Sequence, residues 1–111
     1  MSKSISMMIA LLLLVAGTVG AQSFTAMQGD NPQEISTSLT GTVTITVPNG
    51  DQVYVRFKVN GVWETEVHTH TGNSENNPPY QFADDDVIDA VAIEYCGGGS
   101  GSPPSVAGTI S

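Results

Sequence analysis

The sequence predicts an all-β protein built as a small antiparallel β-sandwich. Residues 39–47, LTGTVTITV, alternate apolar side chains with threonine, which is the period of a strand with one buried face. Residues 53–59, VYVRFKV, repeat this alternation and run into Asn60-Gly61, the strongest short-range signal for a hairpin. Residues 87–96, VIDAVAIEYC, are apolar on both faces, as is typical of a strand in the middle of a sheet.

The N-terminal residues have the pattern of a secretory signal peptide. Lys3 precedes an apolar run at residues 7–16, and small residues follow as far as Ala21. The run is short against the roughly 20 residues that span a bilayer, so a membrane anchor is the weaker interpretation. We expect cleavage after Ala21. The mature chain would then be secreted, extracellular or at the cell surface, with no membrane insertion after cleavage.

The sequence is predicted to divide into the signal peptide, one domain and a tail. Residues 1–21 are the signal peptide, residues 22–96 the sandwich domain, and residues 97–111 a Gly/Ser/Pro linker with a strand-like end. The linker reads GGGSGSPP, a composition that predicts a flexible segment. Beyond it, Val106 and Ile110 are two alternations apart.

The charge of the chain restricts its partners. Eleven Asp and Glu residues against three Lys and Arg residues give a net charge of −8 at pH 7. Such a surface repels phosphate backbones and anionic lipids, so we expect no nucleic-acid partner.

The cysteine content implies that the domain is stabilised by something other than an internal disulfide. Cys96 is the only cysteine, so it cannot close the internal disulfide that stabilises many small secreted domains. Metal binding, self-association or strand exchange with a neighbour are the other sources of stability. Cys96 is either buried in its strand or exposed for an intermolecular disulfide, and the sequence leaves both open.

Side-chain parity predicts the register of the hairpin around Asn60-Gly61. A three-residue loop at residues 59–61, with Gly61 left-handed in a bulge, would set Phe57 opposite Trp63 on the inner face. Arg56 would then lie opposite Glu64 on the outer face. A two-residue loop would place carboxylates on the apolar side, so we predict the bulged register.

The segment 64–70, ETEVHTH, is a candidate metal site. Glu64, Glu66, His68 and His70 occupy alternate positions and therefore share one strand face. His68 and His70 can both reach one zinc or copper ion, with Glu66 as a carboxylate ligand. Because a site needs three or four convergent ligands, a solvated outer face is the favoured interpretation and metal binding the alternative.

The acidic run before the last long strand is a candidate calcium site. Hard oxygen ligands are offered by Asp84, Asp85 and Asp86, with Asp89, Asn76 and Asn77 as neighbours. The run lacks the EF-hand spacing, and a solvated loop is the favoured interpretation. We expect no resident cofactor, with calcium, zinc or copper as the candidates if there is one. A helix over residues 86–93 competes with the strand, which is favoured because the run ends in β-forming residues.

Several elements together resemble bacterial immunoglobulin-like domains of secreted and cell-surface proteins. The first is Val55, Phe57 and Val59 followed by Asn60-Gly61, the second is PYQF at residues 79–82, and the third is the apolar strand at residues 87–95. The resemblance implies an immunoglobulin-like antiparallel β-sandwich. It implies no single function, because such modules serve as spacers, adhesins, carbohydrate binders and subunits of assemblies. This chain departs from the pattern in being a lone domain with a glycine-linked tail.

The sequence favours association over catalysis. It has no Ser-His-Asp spacing, nucleophile elbow or phosphate loop, so we expect no enzyme. The leading hypothesis is a secreted structural subunit of an extracellular or cell-surface assembly, such as a filament formed by strand addition between subunits. The residues predicted to take part in self-association are Phe24, Met27, Val106, Ile110 and Cys96.

Two other functions are alternatives. One is an extracellular metal-binding protein that uses the His-x-His motif of His68 and His70. The other is a carbohydrate-binding or adhesive module that acts through Trp63 or Tyr80. The predicted hairpin register places Trp63 in the core, which disfavours the second alternative.

Overall fold

The computed structural model describes residues 21–74 and 78–111, and these form an antiparallel all-β fold. Residues 1–20 of the predicted signal peptide lie outside the described residues, as do Asn76 and Asn77 of the predicted calcium set. Within the described ranges, no helix is long and apolar enough to cross a membrane. The strands are β1 Gln22–Met27, β2 Gln33–Thr40, β3 Thr42–Val43, β4 Ile45–Thr46, β5 Gln52–Val59, β6 Val62–Trp63, β7 His68–Thr71, β8 Tyr80–Gln81, β9 Val87–Gly97 and β10 Ser105–Ile110.

The strands form a larger sheet, a smaller sheet and a short ribbon. The larger sheet has the order β2-β9-β5, with both β6 and β7 on the far side of β5. The smaller sheet has the order β1-β10-β4, and β3 pairs with β8. Consecutive strands β2, β3 and β4 therefore pair with strands of three different groups. This segment carries the chain from the larger sheet to the smaller one, and Gly41, with a φ of 76°, stands at the first bend in a conformation that glycine adopts readily.

The core lies between the two sheets, which confirms the predicted sandwich. Burial of an aliphatic side chain contributes about 1.5–3 kcal/mol, and both sheets supply such residues. Those that are fully or almost fully buried are Phe24, Ala26, Ile35, Val43, Ile45, Val47, Val53, Val55, Phe57, Ile88, Val91, Ile93, Val106 and Ile110. The alternation read in residues 39–47 and 53–59 thus predicts the buried faces correctly.

Strand β9 is the centre of the larger sheet. It pairs with β2 on one side and with β5 on the other, so the strand predicted here is confirmed and the competing helix is wrong. The register shifts between Ile88 and Ala90 on both sides. The register gives Asp89 no partner at this bulge, and its carboxylate reaches the neighbouring hairpin turn.

The hairpin between β5 and β6 does not have the predicted register. Val59 pairs with Val62 and Lys58 with Trp63, so the loop is the two residues Asn60 and Gly61. Their φ angles of 51° and 82° are those of a type I′ turn. The three-residue bulged loop is therefore wrong.

The path of the chain after Trp63 explains why the predicted loop does not form. Side-chain parity requires that loop only if the ladder continues unbroken from Trp63 to His70. Instead the chain leaves β5 over residues 64–67 and returns as β7, with His68 opposite Val55. Trp63 consequently lies on the outer face beside Lys58, whose Nζ is 6.0 Å from the indole centroid.

Acidic residues before and within β9 hold the turn. The Asn60 side chain donates to Asp86 Oδ1 at 2.9 Å and accepts from the Val87 backbone at 2.9 Å. The Gly61 amide donates to Asp89 Oδ2 at 2.5 Å. Asp86 and Asp89, predicted as candidate calcium ligands, thus serve as the acceptors that hold the hairpin against β9.

The C-terminal Gly/Ser/Pro segment forms a loop with defined contacts. The Gly99 amide donates to Asp51 Oδ1 at 2.9 Å, and the Tyr95 hydroxyl donates to the Gly98 carbonyl at 2.6 Å. A Cβ on Gly99 would lie 2.2 Å from the Ser105 carbonyl oxygen, so only glycine fits this position. The loop leads to β10, which lies between β1 and β4. The sandwich therefore extends to Ile110.

We predict that Asp89→Ala lowers the free energy of unfolding by about 1 kcal/mol, because the Gly61 amide loses its acceptor. The matched control is Asp84→Ala from the same acidic run, an exposed residue whose change we expect to stay within about 0.5 kcal/mol. Urea unfolding followed by tryptophan fluorescence measures both. Equal effects of the two substitutions would show that the contact to the turn contributes no stability.

Candidate functional site

The two histidines lie on the inner side of β7. His68 pairs with Val55 and His70 with Val53, and both valines are fully buried. This is opposite to the prediction, which placed the histidines on the outer face and Trp63 inside. The motif ETEVHTH thus does not present one continuous polar face.

His70 connects the sheets of the sandwich. It is 4% exposed, and its Nδ1 lies 2.9 Å from the Tyr80 hydroxyl of β8. Burial lowers the pKa of His70, and a hydrogen bond with the Ile45 backbone opposes this effect. A backbone bond that raises the pKa is one in which the ring donates. The neutral imidazole therefore donates a hydrogen bond to the Ile45 carbonyl and accepts one from the Tyr80 hydroxyl.

Burial also affects the tyrosine partner. It raises the pKa of Tyr80, which keeps the hydroxyl protonated and able to donate to the imidazole. The two shifts favour the same pair of neutral groups. The contact is therefore a hydrogen bond between two neutral groups.

His68 lies at the edge of the core between two carboxylates. Its Nε2 is 3.8 Å from Glu64 Oε1, and its Nδ1 is 3.8 Å from Glu66 Oε2. Within the described part of the chain, Glu64 Oε1 is buried without a hydrogen-bond partner. The ring also packs near Phe57 and Tyr80, at centroid distances of 5.6 and 5.2 Å.

These positions separate the predicted metal ligands. His70 is bonded into the fold, while Glu66 contacts His68. Among residues 21–74 and 78–111, no three His, Cys, Asp or Glu side chains are placed to hold one metal ion. Zinc or copper binding through His68, His70 and Glu66 stays a prediction.

The predicted calcium ligands also differ in their contacts. Asp86 accepts from Asn60, and Asp84 and Asp85 are exposed in the turn before β9. The described structure does not gather the acidic run around a common point. Calcium binding likewise stays a prediction.

An aromatic cluster occupies this end of the core. The Phe57 ring lies 5.0 Å from that of Tyr80 and 5.1 Å from that of Phe82, distances at which aromatic pairs contribute about 0.5–1.5 kcal/mol beyond area burial. The PYQF motif therefore closes the core over β5. The histidines join this cluster, which the sequence did not reveal because His68 and His70 alternate with threonines that suit either face.

The residues predicted for self-association fall into two groups. Phe24, Val106 and Ile110 are 4%, 0% and 1% exposed, and they pack in the chain's own sandwich. Met27 is exposed, and the Cys96 thiol is free and half-buried. A hydrogen bond with Cys96 raises the pKa of Tyr54, which places the thiol beside that ring on the outer face.

A groove that the sequence analysis missed crosses the outer face of the larger sheet. Its volume is about 360 Å³, and its lining includes Trp63, Tyr54 and Arg56. The signal that would have found it is the type I′ preference of Asn60-Gly61, because that turn alone puts Trp63 on this face. The groove thus combines aromatic and charged side chains.

Comparison of the chain with models of known protein families, with curated proteins and with solved structures finds no match. The resemblance to bacterial immunoglobulin-like domains therefore stays a prediction from its motifs. Functional inference for this chain rests on the geometry of its own residues.

We predict that His70 makes stability fall with acid. Its pKa in the folded state is lowered from 6.5, so the unfolded chain binds a proton that the folded chain does not. The contribution is fully present above about pH 6.5 and is lost as the pH falls through the lowered folded-state pKa. Urea unfolding between about pH 7.5 and pH 5.5 measures the slope, above the range where carboxylates titrate.

The comparison variants are His70→Gln, which removes the titrating group, and His68→Gln, which keeps it. We expect the slope to flatten in the first and to persist in the second, whatever the absolute stability of each. A slope that His70→Gln leaves unchanged would assign the pH dependence to other groups.

Proposed function

We propose that this protein is a secreted, non-enzymatic structural subunit of an extracellular or cell-surface assembly, whose subunits are joined by exchange of a β-strand. The observation that carries the proposal is the place of β10. This strand lies in the middle of the smaller sheet between β1 and β4.

Strand β10 supplies both apolar surface and backbone pairing. Its Val106 and Ile110 are buried in the core. It pairs with β1 along its whole length and with β4 at Thr109 and Ile110. A subunit without its own β10 would expose two unpaired edges beside an apolar cleft, which is the arrangement that accepts an added strand. The β10 of a second copy fits because it has the same sequence.

The glycine-rich loop before β10 makes exchange feasible. The preceding loop contains Gly98, Gly99 and Gly101, all at positive φ, and it can extend to reach a neighbour. Exchange of an identical element between copies is a low-cost route to oligomers. Reciprocal exchange gives a dimer, and head-to-tail exchange gives a filament.

Other features support an association role. The two histidines serve the fold, because His70 is bonded between strands and His68 packs on the aromatic cluster. The net charge of −8 keeps a secreted subunit soluble before assembly. The described residues bring no three metal ligands together, so a structural role has more support than metal binding.

We predict that a disulfide forms between subunits when single cysteines are placed on facing positions of β1 and β10. Thr25 pairs with Ala107, and facing Cα atoms of antiparallel strands lie about 4.5–5.5 Å apart, within the range of a disulfide. The variants Thr25→Cys and Ala107→Cys, each with Cys96→Ser, are mixed under oxidising conditions. A covalent heterodimer is expected, because β1 of one chain must then hold β10 of the other.

The matched control pairs Ala107→Cys with Val62→Cys. Val62 is 68% exposed and lies on the other sheet, so it measures random collision. One chain that carries both Thr25→Cys and Ala107→Cys should lock in the closed form and fail to assemble. The proposal is wrong if the heterodimer forms no faster than the control and the parent chain is monomeric at every concentration in sizing experiments.

A further inference from the structure

The outer face of the larger sheet carries a groove with aromatic and hydrogen-bonding walls, and we propose that it binds a neutral saccharide. Its volume of about 360 Å³ is at the lower end of the range for small-molecule sites. A short saccharide suits that size.

The groove exists because a small residue lies among large ones. Ala92 of the central strand β9 pairs with Glu34 on one side and with Arg56 on the other. The longer side chains around Ala92 stand above it, so alanine forms the floor. In the neighbouring row Glu94 pairs with Tyr54. The floor of the depression follows from the sheet register, while Pro32 and Val67, just outside the strands, complete its lining.

Two aromatic rings supply an apolar platform. Trp63 is half-buried on the outer face, and the Lys58 ammonium lies near its ring. Tyr54 is 39% exposed and lines the same groove. The face of an aromatic ring is electron-rich, so it attracts the weakly positive C–H groups on the flat side of a sugar ring. Tryptophan and tyrosine also bury a large area at low entropic cost.

Charged side chains supply the hydrogen bonds. The Arg56 guanidinium offers several donors in a planar fork, and the carboxylates of Glu34 and Glu94 are acceptors only. Adjacent sugar hydroxyls both donate and accept, so they can satisfy the two kinds of group together. Because two carboxylates face one guanidinium in a chain of net charge −8, anionic sugars and lipid headgroups are repelled. A neutral ligand with several hydroxyl groups avoids this repulsion and can bond to the guanidinium and the carboxylates together.

The site is independent of strand exchange. The groove lies on the larger sheet, and β10 belongs to the smaller one. Saccharide binding should therefore persist in the chain that carries Thr25→Cys and Ala107→Cys, and its loss would not follow from a failure to assemble.

Intrinsic fluorescence gives a direct test, because Trp63 is the only tryptophan. The probes are glucose, galactose, mannose, N-acetylglucosamine and their disaccharides, each titrated into the full mature chain. We expect a saturable change with at least one of them, at a dissociation constant on the order of 1 mM. Amide shifts in nuclear magnetic resonance spectra should then centre on β5, β6 and β9.

Three variants separate the groove from other surfaces. Ala92→Leu fills the floor and leaves both aromatic rings, and Tyr54→Ala removes one wall. We expect each to weaken binding by about tenfold or more, as is typical of central contact residues. Val62→Ala changes an exposed neighbour of Trp63 that pairs with Val59 on the turn, and we expect it to bind like the parent. Circular dichroism verifies that each variant is folded.

Three results would overturn the proposal. The first is the absence of saturable change with every neutral saccharide. The second is binding that Ala92→Leu and Tyr54→Ala both leave unchanged in folded protein. The third is a response of Trp63 to a lysine-rich peptide that neutral saccharides do not reproduce, since that would assign the groove to a cationic partner.

Discussion

The two-residue turn at Asn60-Gly61 is the constraint on which the rest of the structure depends. Because side chains alternate along a strand, the length of one turn decides which residues of the hairpin face the core. With this turn Trp63 lies outside and, after the excursion at residues 64–67, His68 and His70 lie inside. The acceptors Asp86 and Asp89 hold the turn from the neighbouring strand, so the acidic run and the histidine motif belong to one structural arrangement.

The inner arrangement links the sheets of a small domain whose sequence has a single cysteine. His70 bonds to Tyr80 of β8 and to the backbone of Ile45 in β4, so one neutral side chain ties the larger sheet to the ribbon and the smaller sheet. Polar links of this kind are costly to leave unsatisfied in a core. They favour one relative placement of the sheets, which apolar packing alone specifies less sharply. Because these links lie inside the sandwich, the side chains of the outer face can serve a different purpose.

Much of the fold could be predicted from the sequence, whereas the candidate sites could not. Strict alternation at residues 53–59 and the apolar run at residues 87–96 correspond to real strands. These could be predicted because burial requires an apolar side chain at each buried position. The first six residues of β2, QEISTS, carry no clear strand signal, since only Ile35 is buried there. The histidine face was predicted wrongly because nothing local marks the break in the ladder after Trp63. The groove depends on residues from β2, β9, β5 and β6 meeting, which needs the sheet order.

The place of β10 also bears on when the chain can fold. The smaller sheet lacks its middle strand until residues 105–110 have been synthesised, because β1 and β4 meet only through β10. A nascent chain therefore holds an incomplete sandwich until residues 105–110 have emerged, and β1 and β4 stay without their common partner until then. We expect ribosome-bound chains that stop before residue 105 to be cut readily by protease, and early protection of those chains would contradict this order of events.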